Sequence, residues 1–168
     1  MASEAVASSL QLSRENAMGH DPASCRVYSN DLCGLSLPKL ATQGYVGLFT
    51  IPTGTLTTGL TFKMLLTDNG TNTNDLGKVV RLGVTVKYLS ANETTDLDTG
   101  AGTEQTVDVT LSSTANGVAV GSLAIANANL DSAVVAGTVA IRVRRIGDHA
   151  NDTCNGRVIL LHAGVLAT

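Results

Sequence analysis

Two neighbouring stretches near the C-terminus decide the fold: Ala136-Gly137-Thr138-Val139-Ala140-Ile141-Arg142-Val143-Arg144-Arg145-Ile146-Gly147 and Val158-Ile159-Leu160-Leu161-His162-Ala163-Gly164-Val165-Leu166. In the first, branched apolar residues alternate with Ala and Arg, which is the period of a strand with one buried face and one exposed, charged face. The second is apolar on both parities, so we expect a strand covered on both faces, lying centrally or under a neighbouring subunit. The polar link between them ends in the turn dipeptide Asn155-Gly156, which predicts that the two strands pair antiparallel.

Upstream, five more segments show a similar two-residue alternation between turn residues. We predict strands at 45–51, 59–67, 78–89, 106–111 and 118–126. The inward residues of the last strand change parity across Gly121-Ser122, which predicts a β-bulge. These inward residues are Val118, Val120, Leu123 and Ile125. The preceding Asn116-Gly117 predicts a hairpin.

Short strands at regular spacing, without a convincing helix, are typical of an antiparallel β-sandwich. We therefore predict an all-β fold in which residues 45–168 form a β-sandwich of jelly-roll type, preceded by an extended N-terminal arm of residues 1–44. The arm lacks the low hydrophobicity and high charge of disordered segments. We expect it to order against its own domain, a neighbouring subunit or a larger assembly. Its predicted contact residues are Val6, Leu10, Leu35 and Leu37.

The composition argues against several classes of function. Hydrophobic residues make up 43% of the 168 residues, but aromatic residues only 3%, and 11 Lys and Arg face 14 Asp and Glu. A nucleic-acid groove needs excess positive charge and aromatic platforms, so we predict no nucleic-acid partner. No apolar run approaches the roughly 18–20 residues of a membrane span. The odd number of cysteines, 3, argues against a disulfide framework and favours folding in a reducing cytoplasm.

The densest polar cluster lies in the link between the two C-terminal strands. It consists of Asp148, His149, Asp152 and Cys154. Nucleophilic catalysis needs a thiolate, a base and an orienting group in fixed geometry, and one loop beside an Asn-Gly turn gives no rigid spacing. We interpret the carboxylates as caps of backbone amides and the cysteine as a small apolar filler, and we predict no catalytic residue.

Metal and cofactor sites are not indicated either. Residues 96–100, Asp-Leu-Asp-Thr-Gly, lack the third acidic position and the distant glutamate of a calcium loop. Cys25 and Cys33 are too far apart for a zinc ligand pair. We therefore predict no metal and no cofactor.

Two further features predict surfaces of contact. Arg142, Arg144 and Arg145 form a basic stripe, which is either a solvated sheet face or a contact with an acidic loop of a neighbouring subunit. His162 shares the parity of Leu160, and a lone histidine on an apolar face is typical of a core or interface residue. We predict subunit or capsid contacts at these positions.

Several runs of residues between positions 60 and 166 match one known pattern. They are Leu60-Thr61-Phe62-Lys63-Met64, Leu97-Asp98, Leu123-Ala124-Ile125, Asn129-Leu130-Asp131, Ala136-Gly137, Arg142-Val143-Arg144-Arg145-Ile146-Gly147-Asp148 and Asp152-Thr153. With these runs the chain resembles a family of small jelly-roll proteins of tailed bacteriophages that decorate or cement the capsid. It differs at Thr138, where that family often has an acidic residue, and in having no Trp.

The resemblance implies a non-enzymatic virion protein, made in the bacterial host cytoplasm, that binds the outer capsid surface as a homotrimer. Its partners would be the major capsid protein and further copies of itself. Two alternatives remain: a tail or head-fibre component, and a carbohydrate-binding jelly-roll module of a phage. Sugar recognition usually uses exposed Trp or Tyr platforms, and the only tyrosines are Tyr28, Tyr45 and Tyr88.

Overall fold

A computed structural model describes residues 12–14, 25–28, 32–39, 44–50, 59–68, 73–89, 102–130 and 138–167, and the side chains of 34–39, 59–68, 73–89, 102–126, 128–130 and 138–165. Two 3₁₀ turns, Thr73–Asp75 and Asn127–Asn129, interrupt a fold otherwise made of strands. The strands are β1 Leu12–Arg14, β2 Cys25–Tyr28, β3 Leu32–Leu37, β4 Gly44–Thr50, β5 Gly59–Asp68, β6 Val79–Leu89, β7 Gln105–Thr110, β8 Val118–Ala126, β9 Thr138–Arg145 and β10 Val158–Ala167.

The described strands form two five-stranded sheets. Sheet one has the order β1-β4-β9-β6-β7, and sheet two has the order β2-β3-β10-β5-β8. Every pairing is antiparallel. The predicted antiparallel β-sandwich is therefore confirmed.

The core lies between the sheets, and β5, β6 and β9 each contribute one row of alternate residues to it. Burying each Val, Leu, Ile, Phe or Met contributes about 1.5–3 kcal/mol, so these rows fix which face of each strand points inward. The fully buried rows are Leu60, Phe62, Met64 and Leu66 on β5, Val80, Leu82, Val84 and Val86 on β6, and Val139, Ile141 and Val143 on β9. The inward faces predicted for these three strands are confirmed.

The pairing predicted for the two C-terminal strands is wrong. β9 pairs with β4 and β6 in sheet one, whereas β10 pairs with β3 and β5 in sheet two. Residues 146–157 therefore carry the chain from one sheet to the other. The same holds at Asn116-Gly117, where Asn116 has a φ of 62° but the flanking strands β7 and β8 lie in different sheets. In each case the local turn signal does not specify a hairpin.

The inward parity predicted for β8 is wrong for Val118 and Val120 but confirmed for Leu123 and Ile125, which pack in or against the core. Val118 and Val120 are 53% and 64% exposed, while Ala119 and Gly121 are buried and face the core. The β5–β8 register runs without interruption from Gly59↔Ala126 to Thr67↔Val118, so there is no bulge at Gly121. The site has no room for a side chain, because a Cβ on Gly121 would lie 2.7 Å from Cγ2 of Val109.

β10 is a central strand, which confirms one of the two alternatives for its apolar character. Val158, Ile159 and Leu160 are each at most 2% exposed. A β-bulge does occur here, as the register against β5 shifts between Leu160 and His162. Because the bulge inserts one residue, Leu160 faces the core while His162 lies exposed on the outer face of sheet two.

The described strands of residues 1–44 belong to the two sheets. β1 pairs with β4, while β2 and β3 extend sheet two beside β10. Leu37 of β3 is 1% exposed in the core and Leu35 packs against it. The arm was predicted to order against its own domain, a neighbouring subunit or a larger assembly, and its described strands pair within their own domain. The residues at 6 and 10 lie outside the described part of the chain.

Candidate functional site

The predicted chemical cluster lies in the connection 146–157, and the structure separates its members. Asp148 and His149 are exposed, whereas Asp152 and Cys154 are buried. Nδ1 of His149 accepts a hydrogen bond from the backbone N–H of Asn151, at 3.1 Å. Among the described contacts none joins His149 to Cys154, so the arrangement lacks the nucleophile–base pair that covalent catalysis requires.

Arg145 is the centre of the connection rather than part of a surface stripe. Its side chain makes two bonds to Asp152, from Nε to Oδ2 at 2.8 Å and from Nη2 to Oδ1 at 2.7 Å. Nη2 also donates to the carbonyl of Cys154 at 2.5 Å, and Nη1 donates to the carbonyls of Gly156 and Leu37 at 2.5 and 3.4 Å. A guanidinium has five N–H donors, and here each has an acceptor. We call Arg145 and Asp152 the inter-sheet clamp.

The clamp ties sheet one to sheet two. Arg145 is the last residue of β9, and Leu37 is the last residue of β3. The carboxylate of Asp152 also accepts the backbone N–H of Arg81 on β6, at 3.2 Å. Arg145 is 2% exposed and Asp152 5%, so the predicted contact of Arg145 with another subunit is wrong: its side chain is already enclosed.

Two pKa shifts follow from this enclosure. Burial acts to lower the pKa of Arg145, but the hydrogen bonds and charge of Asp152 outweigh it, so the pKa is raised above its ordinary value. Burial raises the pKa of the Cys154 thiol, against the opposing charge of Arg145. A protonated, buried thiol is a poor nucleophile. The filler role predicted for Cys154 agrees with its free, buried state.

Arg144 has an acidic partner within the same chain. Its Nε and Nη2 donate to the two carboxylate oxygens of Glu104 at 2.5 and 2.7 Å. The carboxylate of Glu104 lies over Gly83, where an added Cβ would be 2.5 Å from Oε2. The hydrogen bonds that Arg144 donates to Glu104 raise the pKa of Arg144. Arg142 is half-buried on the same outer face and stays a predicted contact residue.

A second ion pair lies on the same outer face of sheet one. Arg81 Nη1 contacts both oxygens of Asp108 at 2.8 and 2.9 Å, and Asn151 donates to Asp108 at 2.9 Å. On the described side chains of this face, which belong to β6, β7, β9 and the adjoining loops, two ion pairs therefore match charges within the chain.

The outer side of sheet two is different, and the sequence analysis missed it. β8 is an edge strand that pairs, among the described strands, only with β5. Its nine residues contain no charge and no proline, and its outward valines are exposed. We call Val118–Ala126 the β8 edge. The available signal was the absence of the Lys, Glu or Pro that usually protects a sheet edge.

The remaining predicted contact residues divide by burial. Leu37 and Leu160 are enclosed in the core, so the prediction of partner contacts for their side chains is wrong. Leu35 is half-buried and His162 is exposed; both stay predicted contacts. Val6 and Leu10 lie outside the described residues, as does the stretch 96–100.

The described residues contain neither a metal-binding cluster nor a membrane-spanning helix. Within the described residues, no group of three or more His, Cys, Asp or Glu side chains could hold a metal ion. The same part of the chain contains no helix that is long and apolar enough to cross a membrane.

No protein-family model and no curated protein matches this sequence. Among solved structures, a xylan-binding module, CBM15, aligns over 100% of this chain and 97% of its own, with a TM-score of 0.54 and 14% identity. The chain has a jelly-roll fold. A CBM6 module from Clostridium stercorarium, solved with cellobiose, covers 93% of this chain and 94% of its own, with 15% identity and a TM-score of 0.38. The active domain of tailspike protein 4 of bacteriophage CBA120 covers 99% of this chain and 19% of its own, with 10% identity and a TM-score of 0.36.

The first of these likenesses establishes the fold, and the other two, with TM-scores below 0.5, do not. None of the three proteins is a capsid decoration protein. The resemblance to that family stays a prediction based on the sequence.

Proposed function

We propose that the chain is a non-enzymatic structural subunit of a phage particle, which binds the outer surface of the capsid as a decoration protein. Within this proposal the working form is a homotrimer, and the partner is the major capsid protein. The observation that carries the proposal is the contrast between the two faces of the sandwich. Among the described side chains, sheet one carries two ion pairs formed within the chain, whereas sheet two ends in the exposed, uncharged β8 edge.

The β8 edge supports a subunit that functions among neighbours. Soluble monomers usually protect long edge strands with charges, proline or a covering segment, because unpaired backbone groups recruit other strands. β8 has neither a charge nor proline over nine residues, and two valines on it are more than half exposed. Apolar surface of this kind is typical of a site of protein contact.

Polar side chains of the connection 146–157 make contacts within the chain. Asp152 is fully engaged by Arg145 and by a backbone amide. The Cys154 thiol contacts the carbonyl of Gly156, at an Sγ–O distance of 3.8 Å. The cluster that offered the best chance of catalysis therefore stabilises the connection between the sheets.

The proposal is tested with shells that lack the chain. Purified chain is incubated with such shells, bound and free chain are separated by sedimentation, and the particles are reconstructed from images. We expect density at the local three-fold positions of the shell. If the chain stays in the supernatant at every concentration, capsid decoration is excluded.

A matched pair of variants identifies the face that meets the shell. His162 and His149 are both exposed histidines, one on the outer face of sheet two and one in the connection 146–157. We expect His162→Ala to weaken shell binding and His149→Ala to leave it unchanged. The reverse pattern would place the contact at the connection instead of sheet two.

Carbohydrate binding is the second candidate, because a jelly-roll module that binds xylan has the same fold over its full length. Among the described side chains, however, Phe62 is 1% exposed, and Tyr88 is partly buried and packs against the core. Neither ring is a fully exposed platform for a sugar. Retardation of the chain in a native gel containing soluble xylan, relative to a gel without it, would favour this candidate over the capsid.

A further inference from the structure

The β8 edge has a sequence that fits a second copy of itself. Reading Val118-Ala119-Val120-Gly121-Ser122-Leu123-Ala124-Ile125-Ala126 against its own reverse places Ser122 opposite Ser122. Every other position then pairs a large residue with a small one. These pairs are Val118 with Ala126, Ala119 with Ile125, Val120 with Ala124, and Gly121 with Leu123.

We infer that two copies of the chain associate through their β8 edges, antiparallel about a two-fold axis at Ser122, so that the two copies of sheet two form one continuous sheet. The inference uses the same edge that supports the capsid proposal, but it does not require binding to a capsid. A two-fold contact is isologous, with the same patch on both copies. It cannot close a three-fold ring, so in a trimeric protein it would join one trimer to another.

Three features of the edge favour this occupant. First, residues directly opposite each other in an antiparallel pair point to the same face. A two-fold axis that passes between the two copies of Ser122 therefore keeps both cores on one side of the joint sheet. A shift by one residue would put them on opposite sides. Ser122 is the midpoint of the nine residues, so this register pairs the whole strand.

Second, the contact brings no like charges together, since the β8 edge has none. The nearest outward charge in the register is Lys63 of β5, which is opposite Ser122 within each copy. The two lysines are then separated by both β8 strands, about 14 Å at the usual strand spacing. Repulsion across that distance in water is largely screened.

Third, large residues meet small ones on both faces of the joint sheet. On the outer face, Val118 and Val120 of one copy cover Ala126 and Ala124 of the other, which buries the exposed valines. On the inner face, Leu123 of one copy lies opposite Gly121 of the other. No pair places two bulky side chains or two glycines together.

The contact is small. Nine residues extend about 30 Å, and with a sheet thickness near 10 Å the edge covers roughly 300 Å² per copy. A stable interface buries about 800 Å² per partner. We therefore expect a weak association in dilute solution that becomes populated where copies are held close together, as effective concentration rises.

Cysteine cross-linking tests the axis directly. In Ser122→Cys the two new thiols are opposite each other, with Cα atoms about 4.5–5.5 Å apart, within the range for a disulfide. At roughly 1 mM chain, where millimolar contacts are populated, mild oxidation is expected to give a covalent dimer. Ser113→Cys, also exposed but outside β8, is the matched control, and we expect cross-linking on the order of tenfold slower.

A mixing experiment tests the register. Val118→Cys alone places the two thiols roughly 27 Å apart along the strands, and so does Ala126→Cys alone. Neither is expected to cross-link, whereas a mixture of the two should. Val120→Lys with Ala124→Lys, added to Ser122→Cys, puts like charges opposite each other and should abolish the dimer while the Tm of the chain is unchanged.

The inference is overturned if Ser122→Cys cross-links no faster than Ser113→Cys. It is also overturned if Val118→Cys cross-links alone while the mixture gains nothing, since this would require a different register. The unsubstituted chain, with its cysteines at 25, 33 and 154, measures the background. Because none of these readouts involves shells, the outcome is separate from that of the capsid test.

Discussion

Replacing Asp152 with Asn should destabilise the chain strongly, because it leaves the charge of Arg145 enclosed without a counter-ion. The ion pair is almost fully buried, with side-chain exposures of 1% and 0% for Arg145 and Asp152. In Asp152→Asn, the side chain keeps its size, but an amide N–H₂ replaces one carboxylate oxygen. Three N–H donors now bond the carboxylate, two from Arg145 and the backbone N–H of Arg81, and at least one of them then loses its acceptor.

The expected loss in free energy of unfolding is about 3–5 kcal/mol, the usual cost of removing one partner of a buried ion pair. For a domain of 150–250 residues, 1 kcal/mol corresponds to roughly 2–4 °C in Tm. We therefore expect the Tm to fall by roughly 6–20 °C. Adding Arg145→Met to Asp152→Asn should cost less than the sum of the two single changes, because the stranded charge is then gone.

The matched control is Asp108→Asn. Asp108 also pairs with an arginine through both carboxylate oxygens, but the side chains of Arg81 and Asp108 are 19% and 36% exposed. A pair in contact with water contributes about 0–1 kcal/mol. Urea unfolding followed by circular dichroism gives both values. If Asp152→Asn costs no more than Asp108→Asn, the clamp does not stabilise the fold in the way we describe.

Three further outcomes are expected. Gly121→Ala should cost about 1–3 kcal/mol by overpacking against Val109, whereas Val120→Thr on the exposed face should change stability by less than about 0.5 kcal/mol; equal effects in urea unfolding would contradict the inward parity of Gly121. Leu37→Ala should cost about 2–5 kcal/mol, and a Tm within error of wild type would show that β3 is not part of the core. The pKa of the Cys154 thiol is raised on folding. Its contribution to the free energy of unfolding is therefore complete below the unfolded pKa of about 8.5 and is lost as pH rises through the folded pKa. This alkaline decline in stability should be absent in Cys154→Ala.

The inward faces of the strands could be predicted because they depend on local sequence. On β5, β6 and β9 a run of alternating apolar residues has only one parity that buries them. β8 shows the limit of that rule. Its valines at 118 and 120 are more apolar than Ala119 and Gly121, yet Leu123 and Ile125 fix the strand from the other end. With an uninterrupted register the smaller residues face inward.

The inward position of Arg145 follows from its place in the β9 alternation. It shares the parity of Val139, Ile141 and Val143, so the alternation itself places it inward. A charged residue is rarely enclosed unless it is paired, and its partner, Asp152, lies beyond a turn whose path the sequence does not specify. The unspecified path of this turn also explains why the predicted β9–β10 pairing is wrong. Strand pairing between sheets depends on long-range contacts, which no local pattern reports.

The residues behind the predicted resemblance to the decoration family have a structural role in this fold. The predicted resemblance rests most on Ala136-Gly137, Arg142-Val143-Arg144-Arg145-Ile146-Gly147-Asp148 and Asp152-Thr153. In the structure, Arg145, Gly147, Asp152 and Thr153 of this set build the connection between the sheets. Asp152 bonds Arg145, and the hydroxyl of Thr153 accepts the backbone N–H of Val79 at 3.0 Å. A Cβ on Gly147 would collide with the carbonyl of Lys39.

Residues that close a fold in this way are required whatever the protein binds. The motif is therefore an argument for the architecture, and two proteins could share it while contacting different partners. Specificity for a partner depends instead on exposed surface. Among the described surfaces, the β8 edge is the strongest candidate for a contact, and its small, uncharged residues form no recognisable motif. A search for this chain's partner should thus begin with substitutions at Val118, Val120 and Ala124, since changes there leave the clamp and the core intact.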